Sequence, residues 1–362
     1  MLSFHRSDSK CRVLITGGMG FIGSHLAEEL LSTGNEVWVV DNLSTGKFEN
    51  TQHLVGNPNF HFAIDDIRNE MVMDSLMSKA DLVFHLAATV GVQLIVDQPV
   101  RTINNNILGT EAVLQAALRY RTKVLIASTS EVYGKSENLP FVEEDDVVLG
   151  STMRTRWAYA ATKMVDEFMG LAYHMENSLP VVIIRMFNTV GPRQTGQYGM
   201  VVPRFAEQAL KGNPLTVHGD GQQSRCFLHV HDAIRAMLLL ADCPKAVGQV
   251  FNVGMMEEIT ILELAKKILR MVELHKVPDY PNPMLPPIGE NTNITSPQDN
   301  KIIFVPYKDA YGKGFEDMRR RLPNIDKILG YTGWRPEISL EQTLMDVILE
   351  KAAQMSEALV VS

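Results

Sequence analysis

The stretch ITGGMGFIGSH, residues 15–25, decides the fold that this sequence predicts. It follows the strand-like run CRVLIT (11–16) and opens a helix-like segment (21–34). Its glycines have the spacing GxxGxxG and are Gly17, Gly20 and Gly23. Glycines at such a strand–turn–helix junction let backbone amides approach a pyrophosphate, and the helix N-terminus favours its negative charge. We therefore expect a dinucleotide to bind here, beside Phe21 and Ile22.

An acidic residue ends the second strand-like stretch, EVWVVD, at Asp41, about 20 residues beyond the glycines, as in dinucleotide-binding βαβ units. Its carboxylate can accept hydrogen bonds from adenosine ribose hydroxyls and would repel the extra phosphate of NADP. The pattern therefore predicts NAD as the cofactor, with Asn42 in the same site. Asp66 and Ile67 follow the third strand-like stretch, where an adenine can lie.

Strand-like and helix-like segments alternate through the first half of the chain. Further strand-like runs are 60–65, 81–87, 123–127 and 180–187, and further helix-like runs are 71–79, 99–121 and 156–176. This alternation predicts an α/β fold, a Rossmann-type doubly wound parallel sheet with helices on both faces.

The pattern becomes irregular after about residue 188 and predicts a smaller C-terminal substrate-binding domain. We expect residues 1–187 to form the NAD-binding domain, with 228–256 returning to it. Residues 188–227 and 257–362 would form the second domain, which contains a long excursion rich in Pro, Asn and Ser at 275–305.

Composition narrows the class of function. The 362 residues carry a formal net charge of −8, which does not suit a surface that holds nucleic acid. The cysteines, Cys11, Cys226 and Cys243, lack metal-ligand spacing, and no metal site is predicted. Because no stretch approaches the about 18 apolar residues of a membrane span, we expect a cytoplasmic protein with no membrane partner.

Two polar clusters suggest chemistry. In YAATK (159–163), Tyr159 and Lys163 are four residues apart, so a helix places them on one face. A nearby ammonium would lower the pKa of the tyrosine, whose hydroxyl could then exchange a proton with a substrate alcohol. STSEVYG (128–134) follows a strand-like run and places Thr129 and Glu131 at the sheet edge where ligands bind.

The chain resembles the extended short-chain dehydrogenase/reductases that modify nucleotide sugars. The motifs that carry the resemblance span nearly the whole sequence: TGGMGFIGSH (16–25), DNLSTG (41–46), HLAA (85–88), STSEVYG, YAATK, RMFNTVGPR (185–193), GDGQQSRCFLHVHD (219–232) and RRRLP (319–323). The family implies NAD as cofactor, a UDP-sugar as small-molecule partner, and a homodimer joined through helices at about 99–119 and 156–175.

The resemblance also implies roles for individual residues. Thr129, Tyr159 and Lys163 would form a catalytic triad. Tyr159 and Lys163 would also contact the cofactor, together with the HLAA residues Leu86, Ala87 and Ala88. The implied nucleotide-sugar contacts are Ser130, Asn188, Arg193, Arg225 and Arg321. Arg225 would reach the diphosphate, and Arg321 would meet either the diphosphate or a sugar carboxylate.

In this family NAD first oxidises the sugar at C4, and the 4-keto sugar can then follow three routes. It can be reduced from the other face (4-epimerisation), lose water between C5 and C6 (4,6-dehydration), or lose carbon dioxide when C6 is a carboxylate. Glu131 is the additional acid/base that a reaction at C5 or C6 requires.

The pair Ser130–Glu131 is similar to that of UDP-glucuronate decarboxylases, which form UDP-xylose. GDP-mannose 4,6-dehydratases also carry Thr–Ser–Glu, so the motif leaves that reaction open. The leading hypothesis is a UDP-glucuronate decarboxylase, with a UDP-glucuronate or UDP-glucose 4-epimerase and then an NDP-sugar 4,6-dehydratase as alternatives. A non-enzymatic NAD-sensing scaffold is a further alternative, although such proteins typically lose the Tyr or the Lys that is present here.

Asp41 yields a first prediction: the protein binds NAD⁺ at least about fivefold more tightly than NADP⁺. Repulsion between a carboxylate and a 2′-phosphate at contact distance costs about 1–4 kcal/mol. Isothermal titration calorimetry measures the dissociation constants of both cofactors. Asp41→Asn should bring the two constants closer together. Equal affinity of the unmodified protein for both cofactors would contradict the assignment.

Overall fold

A computed structural model gives the fold over residues 10–197, 199–274, 301–311 and 316–361. Most of the excursion predicted at 275–305 lies outside the described residues. No helix within the described ranges is both long and apolar enough to cross a bilayer. The cytoplasmic location expected from the sequence stays a prediction.

The strands, in chain order, are β1 (Arg12–Thr16), β2 (Glu36–Asp41), β3 (Phe60–Ile64), β4 (Leu82–His85), β5 (Lys123–Thr129), β6 (Val181–Met186), β7 (Thr189–Val190), β8 (Leu215–His218), β9 (Ser224–Cys226), β10 (Leu228–His229), β11 (Gln249–Val253), β12 (Glu258–Thr260) and β13 (Ile302–Val305). The helices are α1 (Phe21–Ser32), α2 (Glu70–Met77), α3 (Val92–Asp97), α4 (Pro99–Tyr120), α5 (Ala158–Asn177), α6 (Val201–Leu210), α7 (Val230–Asp242), α8 (Ile261–Leu274), α9 (Tyr307–Tyr311), α10 (Asp326–Thr332) and α11 (Leu340–Val361).

Seven strands form the central sheet in the order β11-β6-β5-β4-β1-β2-β3. Every neighbouring pair is parallel; Val13 of β1, for example, lies opposite Val37 of β2 and Leu82 of β4. The strand order reverses between β1 and β4, which opens a crevice at the carboxyl ends of the strands. The predicted Rossmann-type parallel sheet is confirmed.

The sheet is buried on both faces because its strands are apolar at successive positions. Side chains of a strand alternate between faces, and in β1 Val13 and Ile15 join one hydrophobic cluster whereas Leu14 joins the other. The first cluster packs against α1 and α7, and the second against α2, α4 and α5. This two-sided burial holds the carboxyl ends of the strands, and the loops that follow them, in fixed positions.

A separate cluster builds the smaller part of the molecule from α6, α8, α11 and β8. Short strand pairs accompany it: β13 pairs with β8, and β12 pairs antiparallel with β9, where Arg225 lies opposite Ile259. The predicted division into two domains stays a prediction, which this separate core supports.

Candidate active site

A cavity of about 460 Å³ lies along the carboxyl ends of the central strands and extends to the smaller part of the molecule. Every site residue that the sequence predicts lines it: Gly17, Gly20, Phe21, Ile22, Gly23, Asp41, Asn42, Asp66, Ile67, Leu86, Ala87, Ala88, Thr129, Ser130, Glu131, Tyr159, Lys163, Asn188, Arg193, Arg225 and Arg321. The structure therefore brings the residues predicted to bind the cofactor and the sugar, which are far apart in sequence, to the lining of one cavity.

The glycine loop leaves no room for side chains where it turns into α1. Gly17 has φ +70°, and a Cβ there would lie 2.9 Å from the backbone of Ala87. A Cβ on Gly23 would lie 2.3 Å from the carbonyl oxygen of Gly17. Gly20, which has no side chain, immediately precedes the first turn of α1. This close backbone packing at a helix N-terminus fits a pyrophosphate.

Asp41 is held at the end of β2 by two backbone donors. The amide of Met19 donates to Oδ2 at 3.0 Å, and that of Leu43 donates to Oδ1 at 2.9 Å. Burial raises the pKa of Asp41, and these two hydrogen bonds oppose the rise. The oriented carboxylate at the pocket wall fits ribose hydroxyls.

Asp66, which the sequence predicts to lie near the adenine, accepts hydrogen bonds from two neighbouring side chains. The Arg68 guanidinium donates to both of its oxygens, and Asn42 donates to Oδ2. The hydrogen bond from Arg68, the largest influence, lowers the pKa of Asp66. Asp66 lines the pocket as an ionised group, with Ile67 beside it.

The tyrosine and lysine of YAATK lie on the first turns of α5, and both are buried. Burial, and next the carboxylates of Glu131 and Asp166, raise the pKa of Tyr159, while a hydrogen bond with Thr129 opposes the rise. The sequence pattern predicts instead that Lys163 lowers this pKa. The structure differs because Lys163 donates to Asp166 at 3.1 Å, so its charge is shared with a buried carboxylate.

Glu131 lies in a buried cluster of opposite charges that closes one end of the pocket. Arg156 forms an ion pair with its Oε2, and Arg321 approaches its Oε1 at 3.4 Å. Asp317 joins the same cluster: its carboxylate lies 2.7 Å from Arg225 and 3.5 Å from both other guanidiniums. Arg156 reaches Glu131 from the 3₁₀ turn that precedes α5, where the sequence predicts helix.

The cluster sets the ionisation of its members. Burial alone would raise the pKa of Glu131, but Arg156 and Arg321 outweigh it, and the pKa lies below its usual value. Burial would also raise the pKa of Asp317, but Arg225, Arg321 and Arg156 outweigh it and lower this pKa to about 2. Burial lowers the pKa of Arg321 to about 10, which still leaves it protonated at neutral pH. Glu131 is therefore a carboxylate in this structure.

Several residues that line the pocket carry buried polar atoms with no hydrogen-bond partner in the described part of the chain. Two of these atoms, Ser130 Oγ and Arg321 Nε, belong to residues next to Glu131. Buried polar atoms are nearly always satisfied. Because both residues line the pocket, the pair indicates a ligand that brings hydrogen-bond acceptors, such as a carboxylate.

Hydrogen bonds to other protein groups also hold Asn188 and Arg193, two further residues predicted to contact the sugar nucleotide. Asn188, with φ +34°, donates to the carbonyl of Cys226 at 3.0 Å. The Arg193 guanidinium donates to Glu28 at 2.6 Å and to Ser24 at 3.2 Å. It is thus tied to α1 at the pocket wall.

Sequence reasoning missed three residues of the site, each at helical spacing from one that it found. Arg156 precedes Tyr159 by three residues, Asp317 precedes Arg321 by four, and Asp166 follows Lys163 by three. The spacing of Lys163 and Asp166 could have identified Asp166 as a partner, since residues three apart face each other on a helix. Asp317 and Arg321 lie in a segment without helix, so their spacing gives no such signal. The contact of Arg156 with Glu131 crosses between separate segments and leaves no local pattern.

Comparison with known proteins agrees with this geometry. Residues 14–347 match the family described as GDP-mannose 4,6 dehydratase. The chain is 40% identical over 341 residues to a UDP-N-acetyl-alpha-D-glucosaminuronate decarboxylase of Bacillus cytotoxicus, covering 94% of this chain and 97% of that relative. It is 36% identical over 335 residues to UDP-glucuronic acid decarboxylase 4 of Arabidopsis thaliana, covering 92% and 67%.

A solved structure shows the same fold at comparable coverage. The UDP-glucuronic acid 4-epimerase of Bacillus cereus, in complex with UDP-glucuronic acid and NAD, has a TM-score of 0.79 at 27% identity and covers 95% of this chain and 99% of that one. The molecule is thus an enzyme of the extended short-chain dehydrogenase/reductase class. Within that class the chain belongs to the GDP-mannose 4,6 dehydratase family.

The cluster around Glu131 yields a prediction about stability and pH. With its pKa lowered, Glu131 contributes stability above its unfolded pKa and loses it only as the pH falls through the folded pKa. Arg156→Met removes a guanidinium and leaves burial to raise that pKa. The variant should lose about 3 kcal/mol or more of unfolding free energy at pH 7, and less at pH 5, as measured by denaturant titration.

The matched control is Arg319→Met, which removes an exposed ion pair with Asp220. It should leave the unfolding free energy nearly unchanged at either pH, because solvent screens an exposed ion pair. An equal loss at pH 5 and pH 7 in Arg156→Met would show that packing of the side chain, and not the charge of Glu131, accounts for the loss.

Proposed function

We propose that the protein is an NAD-dependent UDP-uronate decarboxylase, converting UDP-glucuronate to UDP-xylose or its 2-acetamido analogue to the matching pentose. The two curated relatives described above carry these decarboxylase names and are 40% and 36% identical. The Ser130–Glu131 pair, similar to that of UDP-glucuronate decarboxylases, supports the same assignment.

The observation that carries the proposal is the pair of buried donors, Arg321 Nε and Ser130 Oγ, beside Glu131. A sugar carboxylate would satisfy both. A neutral hydroxymethyl group at C6 has no charge to set against a buried guanidinium, whereas a carboxylate binds one with charge-assisted hydrogen bonds. This favours the carboxylate role for Arg321 and leaves the diphosphate to Arg225.

The first step is oxidation at C4. Bound NAD⁺ would supply the acceptor for the C4 hydride. Tyr159 takes the proton of the C4 hydroxyl in its deprotonated form, which its raised pKa makes the minor form. Thr129, hydrogen-bonded beside it, orients the oxygen, and Lys163 provides a positive charge on the same face of α5. Burial of Tyr159 and Lys163 excludes water from this transfer.

Oxidation makes the C6 carboxylate β to a ketone, so the C5–C6 bond can break. The bonding electron pair is delocalised into the C4 ketone as an enolate, and carbon dioxide leaves. A proton from solvent must then be added at C5, and the hydride would return to C4, with a proton from Tyr159 to the oxygen, to give the pentose. Because Glu131 is ionised in the structure, it holds no proton before the reaction. It first accepts the proton from solvent and then donates it to C5, directly or through water.

The direct test incubates the purified protein and NAD⁺ separately with UDP-glucuronate, UDP-N-acetylglucosaminuronate, UDP-glucose, dTDP-glucose and GDP-mannose, and identifies products by NMR. We expect one or both uronates to release carbon dioxide and yield a UDP-pentose. UDP-galacturonate formed without carbon dioxide would replace the proposal with a 4-epimerase. Consumption of only a neutral sugar would exclude both uronate reactions and favour a dehydratase or hexose epimerase.

The Glu131→Gln variant examines the step that separates these reactions. It keeps size and hydrogen bonding but removes the proton carrier, so release of carbon dioxide should slow by roughly a hundred- to ten-thousandfold. Some NADH should still form. Glu144→Gln, which removes an exposed carboxylate, should leave both signals unchanged. A Glu131→Gln enzyme that releases carbon dioxide at the normal rate would remove Glu131 from the mechanism.

We also propose the homodimer that the family resemblance implies. Helices α4 and α5 pack against each other and leave large apolar side chains exposed. These are Val100, Ile103, Leu108, Val165, Phe168 and Met175. A second copy packing its own α4 and α5 on this face would bury them.

Sedimentation velocity should therefore find the protein as a dimer. Phe168, 66% exposed, lies on this face, and Phe168→Asp should shift the population to monomer. Val55→Asp changes a 49% exposed apolar residue in a loop outside both helices and should remain dimeric. A monomeric unmodified protein would contradict the proposal.

A further inference from the structure

Asp166 is a buried carboxylate behind the lysine of the active site. Its Oδ2 accepts a hydrogen bond from Lys163 Nζ at 3.1 Å, and the two side chains are 0% and 3% exposed. Lys163 lines the pocket, whereas Asp166 is absent from the pocket wall. The carboxylate thus holds the ammonium from the side opposite to the ligand.

The other ionisable groups near this pair are neutral or have partners of their own. Glu167, the neighbour of Asp166, pairs with Arg185 at 2.7 Å. His85 hydrogen-bonds to threonines on both sides, and burial, with Lys163 next, lowers its pKa to about 3, so it is uncharged. Lys163 and Asp166 are therefore each other's charge partner at this point of the fold.

The pair acts on Tyr159, one turn before Lys163. Besides burial, the groups that disfavour its phenolate are the carboxylates of Glu131 and Asp166; Thr129 and Arg156 act in the opposite direction. Glu131 is balanced by two guanidiniums. Asp166 instead pairs with Lys163, the residue whose charge would otherwise favour the phenolate.

We propose that Asp166 is a positioning residue that holds Lys163 against the pocket and shares its charge, and so sets how readily Tyr159 releases its proton. The inference rests on the proposed proton transfer at C4 and applies whichever route the keto sugar follows afterwards. A tyrosine kept protonated by this arrangement retains the proton that must return to the sugar oxygen at the end of the cycle.

The test is Asp166→Asn, which keeps an oxygen acceptor for Lys163 and removes the charge. We expect the acidic limb of the pH profile for NADH formation in a single turnover to move to lower pH by roughly one unit. The comparison uses whichever nucleotide sugar reduces NAD⁺, so a wrong choice of sugar in the proposed function does not affect it. Glu176→Gln, which removes an exposed charge from the same helix, should leave the profile in place.

A second readout requires no turnover. The ultraviolet absorbance of tyrosinate, followed in alkaline titrations, should show one tyrosine ionising at lower pH in Asp166→Asn than in the unmodified protein. That change should vanish in Asp166→Asn/Tyr159→Phe. If Asp166→Asn does not fold, Asp166→Ser serves in both measurements.

Either of two results would overturn the proposal. A folded variant with an unchanged pH profile and titration would mean that Asp166 has only a structural role. A shift of both to higher pH would mean that Asp166, through its contact with Lys163, favours the phenolate.

Discussion

The position of the active-site helix depends on one buried ion pair. Arg185 on β6 donates to Glu167 on α5 at 2.7 and 3.0 Å, with both side chains under 9% exposed. Ser128 on β5 donates to the same carboxylate. Because this pair joins α5 to two adjacent strands, it determines where the first turns of α5 stand relative to the sheet edge, and hence where Tyr159 meets Thr129.

Charges buried in this way are costly, and their location is informative. Removing an ion from water costs several kcal/mol even after relaxation, and apolar residues of similar volume often stabilise a protein as well or better. The chain nonetheless buries Glu131, Arg156, Arg225 and Arg321 together, with the half-buried Asp317 among them. A cluster so placed, at the wall of a cavity, agrees with the proposed binding of a charged ligand.

The two ionisable centres of the pocket are tuned in opposite directions. Guanidiniums lower the pKa of Glu131, whereas burial and carboxylates raise that of Tyr159. Separate acid and base roles require such a difference in environment. The structure creates it within a few residues of the end of β5, since Thr129 hydrogen-bonds to Tyr159 while Glu131, two positions later, contacts the arginines.

The sequence alone determined the parallel sheet and, on the pocket wall, the glycine loop, Asp41 and the Tyr–Lys pair, because those features are local. Glycine spacing, the Asp that ends β2, and Tyr and Lys four apart on a helix are each legible within a few residues, and the carboxyl ends of parallel strands meet at one edge. Only the tertiary structure decided how the site is charged. Arg156 and Asp317, which are far apart along the chain, act on Glu131 through burial and distances of a few ångströms, which no periodicity encodes.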